Sequence, residues 1–520
     1  MAFTIDVDQW VSIRELEKAA DRGDMVVLSP EVWSKVRRSR ETLDKFVSSG
    51  RVIYGVNTSM GGFVDWLVPV SMAQELQENL INAVATNVGA YLDDRTVRAI
   101  MLARIVSLAR GNSAISEQNL SALIQVYNSG IVPCVPEKGS LGTSGDLGPL
   151  AAIALVCIGQ WKAKFDGRIM PAADALAQAG VDSMKLSFKE GLALINGTSG
   201  MVGLGILVLV QARRLFDTYI TVSALSIEGL RGMRKPFDPR VHELKPHHGQ
   251  RVVARRLWNI LQESSLAISD EVTEEALAGE MEDFAKPGSM PIEDAYSIRC
   301  TPQILGPVLD SMARVEEVLE AELNSSNDNP LVVPEEDDVF HNGHFHGQYV
   351  AMAMDHLVIC LVTLTNLANR RVDRLLDKSN SNGLPAFLCQ ENPGLRLGLM
   401  GGQFMTASLT AENRSMAMPM SIQSLTSTGD FQDIVSFGFV AARKARETLV
   451  NSAYVVSFEL LAACQAVDIR GSAGLSPETR VLYDRVRTLV PYLDRDITMT
   501  DYMESLCSEL LLNTRLSVRG

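Results

Sequence analysis

Gly139-Ser140-Leu141-Gly142-Thr143-Ser144-Gly145-Asp146-Leu147-Gly148-Pro149-Leu150 is the stretch on which the reading of this chain turns. A serine held between Thr143 and Gly145 can convert its own backbone into an electrophile. Attack of the Gly145 amide nitrogen on the Thr143 carbonyl carbon closes a five-membered ring. Loss of two waters, one of them from the Ser144 hydroxyl, then leaves a methylidene-imidazolone. No ordinary side chain is an electrophile, so an enzyme that needs one borrows a cofactor or builds one. Gly142 and Gly145 permit the backbone torsions that such a closure demands. The plain alternative is a glycine-rich turn between two helices, the usual meaning of an isolated T-S-G. A phosphate-cradling loop is excluded, because neither G-x-x-x-x-G-K-[ST] nor G-x-G-x-x-G is present.

Further motifs lie outward from this stretch. They are Tyr54-Gly-Val-Asn-Thr-Ser-Met-Gly-Gly62, Gln77-Glu-Asn-Leu-Ile-Asn-Ala-Val-Ala85, Asn196-Gly-Thr198, Tyr296-Ser-Ile-Arg-Cys-Thr-Pro-Gln303, Asn324-Ser-Ser-Asn-Asp-Asn-Pro330 and Phe345-His-Gly347. Together with residues 139–150 they resemble the aromatic amino acid lyase and aminomutase family, which includes histidine, phenylalanine and tyrosine ammonia-lyases. The likeness covers nearly the whole chain. Against the family pattern G-x-x-G-A-S-G-D-L-x-P-L, this sequence has Thr143 for Ala and Gly148 for Ala. The Thr143 side chain hangs off the ring, so the same chemistry should survive; members with Thr-Ser-Gly are closer to bacterial phenylalanine lyases and aminomutases than to histidases.

The resemblance implies a mainly α fold, a long-helix bundle of the histidase-like, fumarase/aspartase-like type with a small mixed N-terminal region. It also implies a self-made cofactor, 4-methylidene-imidazole-5-one (MIO), formed from Thr143, Ser144 and Gly145. Tyr54 is then the general base; an unperturbed tyrosine titrates near pH 10, so positive charge or donors must activate it. Gly55, Gly61 and Gly62 make its segment a mobile lid that excludes water. Asn196 hydrogen-bonds the imidazolone oxygen in an oxyanion-type role. Arg299 takes the substrate carboxylate through a two-pronged contact, with Tyr296 directed the same way although Pro302 kinks or restarts the helix. Asn329 is a polar contact near that carboxylate and Phe345 a wall under the electrophile. Gln432, by a looser alignment, lies near the reactive group. The family is tetrameric with active sites shared between subunits, so a homotetramer is expected.

The Gln77–Ala85 segment matches the part of the family that touches the substrate ring, which places Leu80, Ala83 and Val84 there. Histidases carry Ser-His where this chain has Ala83-Val84, and tyrosine-specific members usually place a histidine to bond the phenol. An apolar wall would leave a buried hydroxyl unpaired at a cost of about 1–3 kcal/mol, so phenylalanine is the expected substrate. Deamination to trans-cinnamate and ammonia is the first reading. A phenylalanine 2,3-aminomutase, which returns the amine to the β-carbon, is the alternative, since both share every step until product release. A scaffold that keeps the fold without activity would be expected to have lost Ser144, Tyr54 or Arg299.

Composition narrows the partners. In 520 residues, 48 basic against 62 acidic side chains give −14, which offers no surface for nucleic acid or anionic membrane. Seven scattered cysteines without C-x-x-C, and a start lacking a signal-peptide pattern, suggest a cytoplasmic protein with reduced thiols. The apolar stretches Met201–Val210 and Leu357–Leu364 are shorter than the roughly 20 residues that span a bilayer, and read as buried helix. His341, His344 and His346 form H-x-x-H-x-H in a glycine-flanked loop, read as structural; no metal is expected.

Helical periodicity dominates: residues 305–323 repeat apolar side chains every three or four positions, and a second long helix is predicted from about Gln348 to Leu376. Strands are predicted at Met25–Leu28, Arg51–Tyr54 and Gly167–Met170. Soft boundaries near 200 and 470 divide the chain into a 1–200 domain with the Tyr54 loop and the triad, a 201–470 bundle, and a 471–520 helical tail.

Overall fold

The computed structural model describes residues 2–512; Met1 and residues 513–520 of the expected tail lie outside the described residues. The fold is mainly α-helical. Its longest helices are Ser199–Leu230, Thr301–Leu323, Gln348–Leu376 and Gly438–Arg470. Pro302 falls in the first turn of the Thr301–Leu323 helix, where a missing N–H is tolerated. The short helix Tyr296–Arg299 ends just before it, at Cys300.

The strands are few and local. Met25–Leu28 pairs in parallel with Ala2–Ile5. Arg168–Pro171 pairs antiparallel with Lys162–Phe165 across an Asp166-Gly167 turn with positive φ at both residues, the geometry that matches strand twist. The strand expected at Arg51–Tyr54 is instead a turn. The Asn57 side chain accepts Ile53 N–H at 2.7 Å and donates to Arg51 O at 2.9 Å. Those local bonds divert a β-prone run from any ladder.

The chain divides into two compact units built from interleaved segments. One comprises Met1–Val210, Val315–Asp355 and Pro419–Ala445; the other comprises Gln211–Arg314, His356–Met418 and Arg446–Gly520. The boundaries expected near 200 and 470 do not describe this partition. Each of the four longest helices gives part of its length to one unit and the remainder to the other, so composition does not change where the units do.

In the first unit, the Asp94–Ala109 helix is buried almost all round, as its apolar run of Ile100, Met101, Leu102, Ile105 and Val106 requires. In the second, the Asn413 amide reaches Thr365 at 3.2 Å and Ser452 at 3.1 Å, joining three helices through one polar contact. Three helices, Ser199–Leu230, Gln348–Leu376 and Gly438–Arg470, are long and apolar enough to cross a membrane by length and composition. Their most apolar windows are 78%, 72% and 83% buried within the protein, which accounts for that apolarity. All seven cysteines are free thiols.

Candidate active site

The first unit contains a cleft of two lobes that meet at residues 143 and 144. One lobe, about 740 Å³, is lined by Tyr54, Leu80, Ala83, Val84, Leu192, Asn196 and Gln432 together with the Gly139–Gly148 loop. The other, about 690 Å³, is lined by Tyr54, Asn196, Asn329, His341, Phe345, Phe431 and Gln432.

The triad is held by backbone from elsewhere in the same unit. Gly197 N–H donates to Ser144 O at 3.1 Å, and Asp146 N–H donates to Gly197 O at 2.7 Å. Gly145 and Gly197 thereby form an isolated parallel bridge. Gly145 has φ +76°, and a Cβ there would stand 1.9 Å from Gly197 O, so only glycine fits. Asn196 caps the C-terminus of the Glu190–Ile195 helix in an extended conformation, and its Nδ2 donates to Ser144 O at 3.4 Å. Two donors therefore converge on the Ser144 carbonyl oxygen, the atom that becomes the ring oxygen if the triad cyclises. Asn196 Oδ1 is buried without a partner, an unsatisfied acceptor of the kind found where a ligand is handled. Gln432 Nε2 donates to Ser144 Oγ at 3.2 Å.

Beneath the triad, Asp146 is fully buried. Its Oδ2 accepts Met201 N–H at 2.6 Å, in the first turn of the Ser199–Leu230 helix, and its Oδ1 accepts from Ser140 at 3.3 Å. Burial pushes its carboxyl up to about 7 against those stabilising bonds.

Tyr54 sits in a turn whose hydroxyl accepts Gly61 N–H at 3.1 Å and whose own N–H donates to His341 Nε2 at 3.0 Å. Its ring stacks on Phe431 with centroids 6.5 Å apart. Burial raises the hydroxyl above its ordinary pKa, and the Gly61 donor opposes that only in part. The activation expected of a base is thus not supplied by the surroundings of Tyr54 in this unit. Asn329 Oδ1 accepts Asn342 N–H at 2.7 Å, which orders the loop leading to Phe345.

Leu80, Ala83 and Val84 project from the Ala73–Val84 helix and, with Leu192, form a wall without a hydrogen-bonding side chain. The structure does not bring Tyr296 and Arg299 into this cleft. They belong to the second unit, where the Arg299 guanidinium lies 5.0 Å over the Tyr296 ring and pairs with Glu293 at 2.9 Å. Of the three loop histidines, His341 is the acceptor for Tyr54, and His346 Nε2 is buried without a partner. Among the described residues no group of three or more His, Cys, Asp or Glu is placed to hold a metal ion.

Sequence reasoning missed the Gly197 amide, Phe431 and His341 as parts of the site. The first acts through backbone and carries no side-chain signal. His341 reads as a structural loop histidine and Phe431 precedes Gln432 without a signal of its own; only their placement against Tyr54 reveals them.

The T-S-G turn, bridged to Gly197, shares its cleft with Tyr54 and an apolar wall, as the family resemblance leads one to expect. A sequence profile of the aromatic amino acid lyase family matches residues 11–488, and the chain belongs to that family. Its fold is similar to that of Pantoea agglomerans phenylalanine aminomutase, with 64% identity, coverage of 99% of this chain and 100% of that one, and TM-score 0.97. Tyrosine aminomutase from Streptomyces globisporus is 39% identical over 98% of this chain and 96% of that one, with TM-score 0.93. Histidine ammonia-lyase from Alkaliphilus metalliredigens is 37% identical over 97% of this chain and 96% of that relative.

Proposed function

We propose that this enzyme is a phenylalanine 2,3-aminomutase that converts L-phenylalanine to β-phenylalanine, with release of trans-cinnamate and ammonia as its second, lyase outcome. The observation that carries the substrate is the Leu80, Ala83, Val84 and Leu192 wall, which suits an unsubstituted ring and offers nothing to a phenol or an imidazole. The preference for amine return over release rests on the 64% identity to the Pantoea aminomutase, and it reverses the order of the two readings drawn from the sequence.

The reading includes maturation of Thr143, Ser144 and Gly145 to MIO. The residues fit the group: two donors hold the Ser144 carbonyl oxygen and the glycine at 145 is sterically required, while Gln432 reaches the Ser144 hydroxyl that leaves as the ring forms. The group, once formed, supplies the electrophile that draws the amine nitrogen from the α-carbon.

The chain's own residues do the rest. Asn196 and the Gly197 amide stabilise charge gathered on the Ser144 oxygen. Tyr54 faces the same cleft and takes the β-proton, while the substrate amine adds to the electrophile in its neutral form. The apolar wall orients the ring. Arg299, held by Glu293 in the second unit, takes the substrate carboxylate in a homotetramer whose sites are completed by neighbouring copies. On this reading the enzyme is cytoplasmic and acts on a small-molecule amino acid, without a metal, nucleic acid or membrane partner.

Incubating purified enzyme with L-phenylalanine, while following cinnamate absorbance and separating β-phenylalanine by chromatography, tests the reaction. Predominant β-phenylalanine is expected. Predominant cinnamate would restore the lyase reading, and turnover confined to tyrosine or histidine would overturn the substrate. Intact mass should be two waters below the encoded value. Ser144→Ala should abolish that deficit and lower kcat by more than about 10³-fold.

A further inference from the structure

Gln77 belongs to the helix that carries the ring wall, yet its side chain turns inward and is fully buried. The two ends of its carboxamide serve two different parts of the site. Nε2 donates to Gly55 O at 3.0 Å, and Oε1 accepts Leu192 N–H at 2.9 Å. Gly55 follows Tyr54 directly. Leu192 lies in the first turn of the Glu190–Ile195 helix, where an amide has no intrahelical acceptor, and that helix ends on Asn196.

Packing leaves this bridge little freedom. A Cβ on Gly191 would stand 2.8 Å from Gln77 O, 2.9 Å from Gln77 Cβ and 3.1 Å from its Oε1. Replacing the carboxamide by hydrocarbon would leave a buried acceptor and a buried donor unpaired.

We propose that Gln77 is a positioning residue: its carboxamide ties the Tyr54 turn to the Asn196-bearing helix and so sets the base against the Ser144 oxygen. The assignment rests on the reading of Tyr54 as the base. A glutamine is required because one end must donate while the other accepts. A carboxylate offers acceptors alone and would face Gly55 O without a proton, whereas a protonated carboxyl restores the donor.

The titratable and charged groups near the bridge are Tyr54 on the turn with His341 on its N–H, Glu75 and Glu78 on the Gln77 helix, and, on the partner helix, Glu190 with Arg40 beside it, Lys189 paired with Asp328, and Arg104 on Ala193 O. Glu190 is occupied by Ser116 N–H, Ser187 N–H and Asn119. Glu78 is on the exposed side with Gln74, and Glu75 is exposed.

The test compares Gln77→Glu and Gln77→Leu with the wild type across pH, reading kcat and KM for L-phenylalanine, with intact mass as the measure of ring formation. Gln77→Glu should keep the two-water deficit and lose kcat by about 10- to 100-fold at alkaline pH, the scale of a small misplacement of a reacting group. KM should change by less than about threefold. The ratio of its kcat to the wild-type value should rise as pH falls and the carboxyl takes up its proton; Gln77→Leu should stay impaired at every pH. A Gln77→Glu enzyme that matches the wild type, or whose ratio is flat with pH, overturns the proposal.

If Gln77→Glu gives no soluble protein, Gly191→Ala presses on the same carboxamide and should show the same kcat loss with the mass deficit intact. Failure of both to give soluble, dehydrated protein makes Gln77 a folding residue and also overturns it. Tyr54→Phe separates the two readings. An inactive Tyr54→Phe beside a normal Gln77→Glu removes the bridge alone, whereas a fully active Tyr54→Phe removes the base.

Discussion

The Asn196-Gly197-Thr198 turn has a front and a back, and the two sides are hydrogen-bonded in opposite styles. At the front, Asn196 offers one weak donor contact to Ser144 O, and its Oδ1 is buried with no partner. At the back, Thr198 donates to Glu322 at 2.6 Å and accepts from Asn327 at 3.0 Å. Asn327 Oδ1 in turn accepts from Arg104 at 3.0 Å and Ser107 at 3.1 Å. Next to them Asp328 takes the Lys189 ammonium at 2.6 Å, Ser113 at 3.2 Å and, more distantly, Arg104 at 4.0 Å. Among the described residues, no buried side-chain atom of this rear set lacks a partner. Capacity filled from within holds a backbone still; capacity left open awaits something else.

That contrast can be broken at the back with the largest effect on stability. Lys189→Met removes one partner of a fully buried ion pair and leaves Asp328 undercompensated, which should cost about 3–5 kcal/mol in chemical denaturation. Burial already holds the Lys189 ammonium below its ordinary pKa despite Asp328, and it pushes Arg104 down to about 10. A loss below about 1 kcal/mol would mean that the rear set is not what fixes the turn.

The front should behave the other way. Asn196→Ala should lower kcat by about 10²- to 10³-fold, as expected for loss of one oxyanion donor. Its unfolding free energy should fall within about 1 kcal/mol of wild type or above it, because the variant removes a buried oxygen that has no partner. A strongly destabilised Asn196→Ala would erase the distinction between the two sides.

The last test concerns Asp146. Its folded pKa of about 7 lies above the ordinary carboxylate value, so the folded state binds the proton more tightly than the unfolded one. That contribution to stability is complete below about pH 4 and lost as pH rises through 7. Glu322, raised by its own burial, acts in the same direction. Asp146→Asn should flatten the decline in denaturation midpoint between pH 4 and pH 8, and an unchanged slope would assign it to other groups.

How much of this was legible in the sequence depended on how local each cause is. The triad could be read because ring closure is a demand on three consecutive residues and their glycines. The Gln348–Leu376 helix was read to its ends, since apolar spacing and a polar stop are written along it. Arg51–Tyr54 misled because Val52, Ile53 and Tyr54 favour strands, while the deciding bond comes from Asn57. The Gly197 amide and Gln77 were hidden for a deeper reason: each acts on backbone brought close only by folding. Four of the five unit boundaries were illegible because they fall within long helices whose pattern runs on across them; the fifth, between Met418 and Pro419, follows the end of the Met400–Met416 helix.

The interleaving of the two units bears on how the chain is made. A ribosome must pass Ala445 before the last segment of the first unit exists, and the second unit needs residues after 446 as well. Until then the apolar Ser199–Leu230 and Gln348–Leu376 segments emerge without their final packing surfaces. At about 5–20 residues per second that interval lasts many seconds, long enough to be a clear occasion for chaperone binding. For the same reason, no truncation that ends before residue 445 can yield either unit whole.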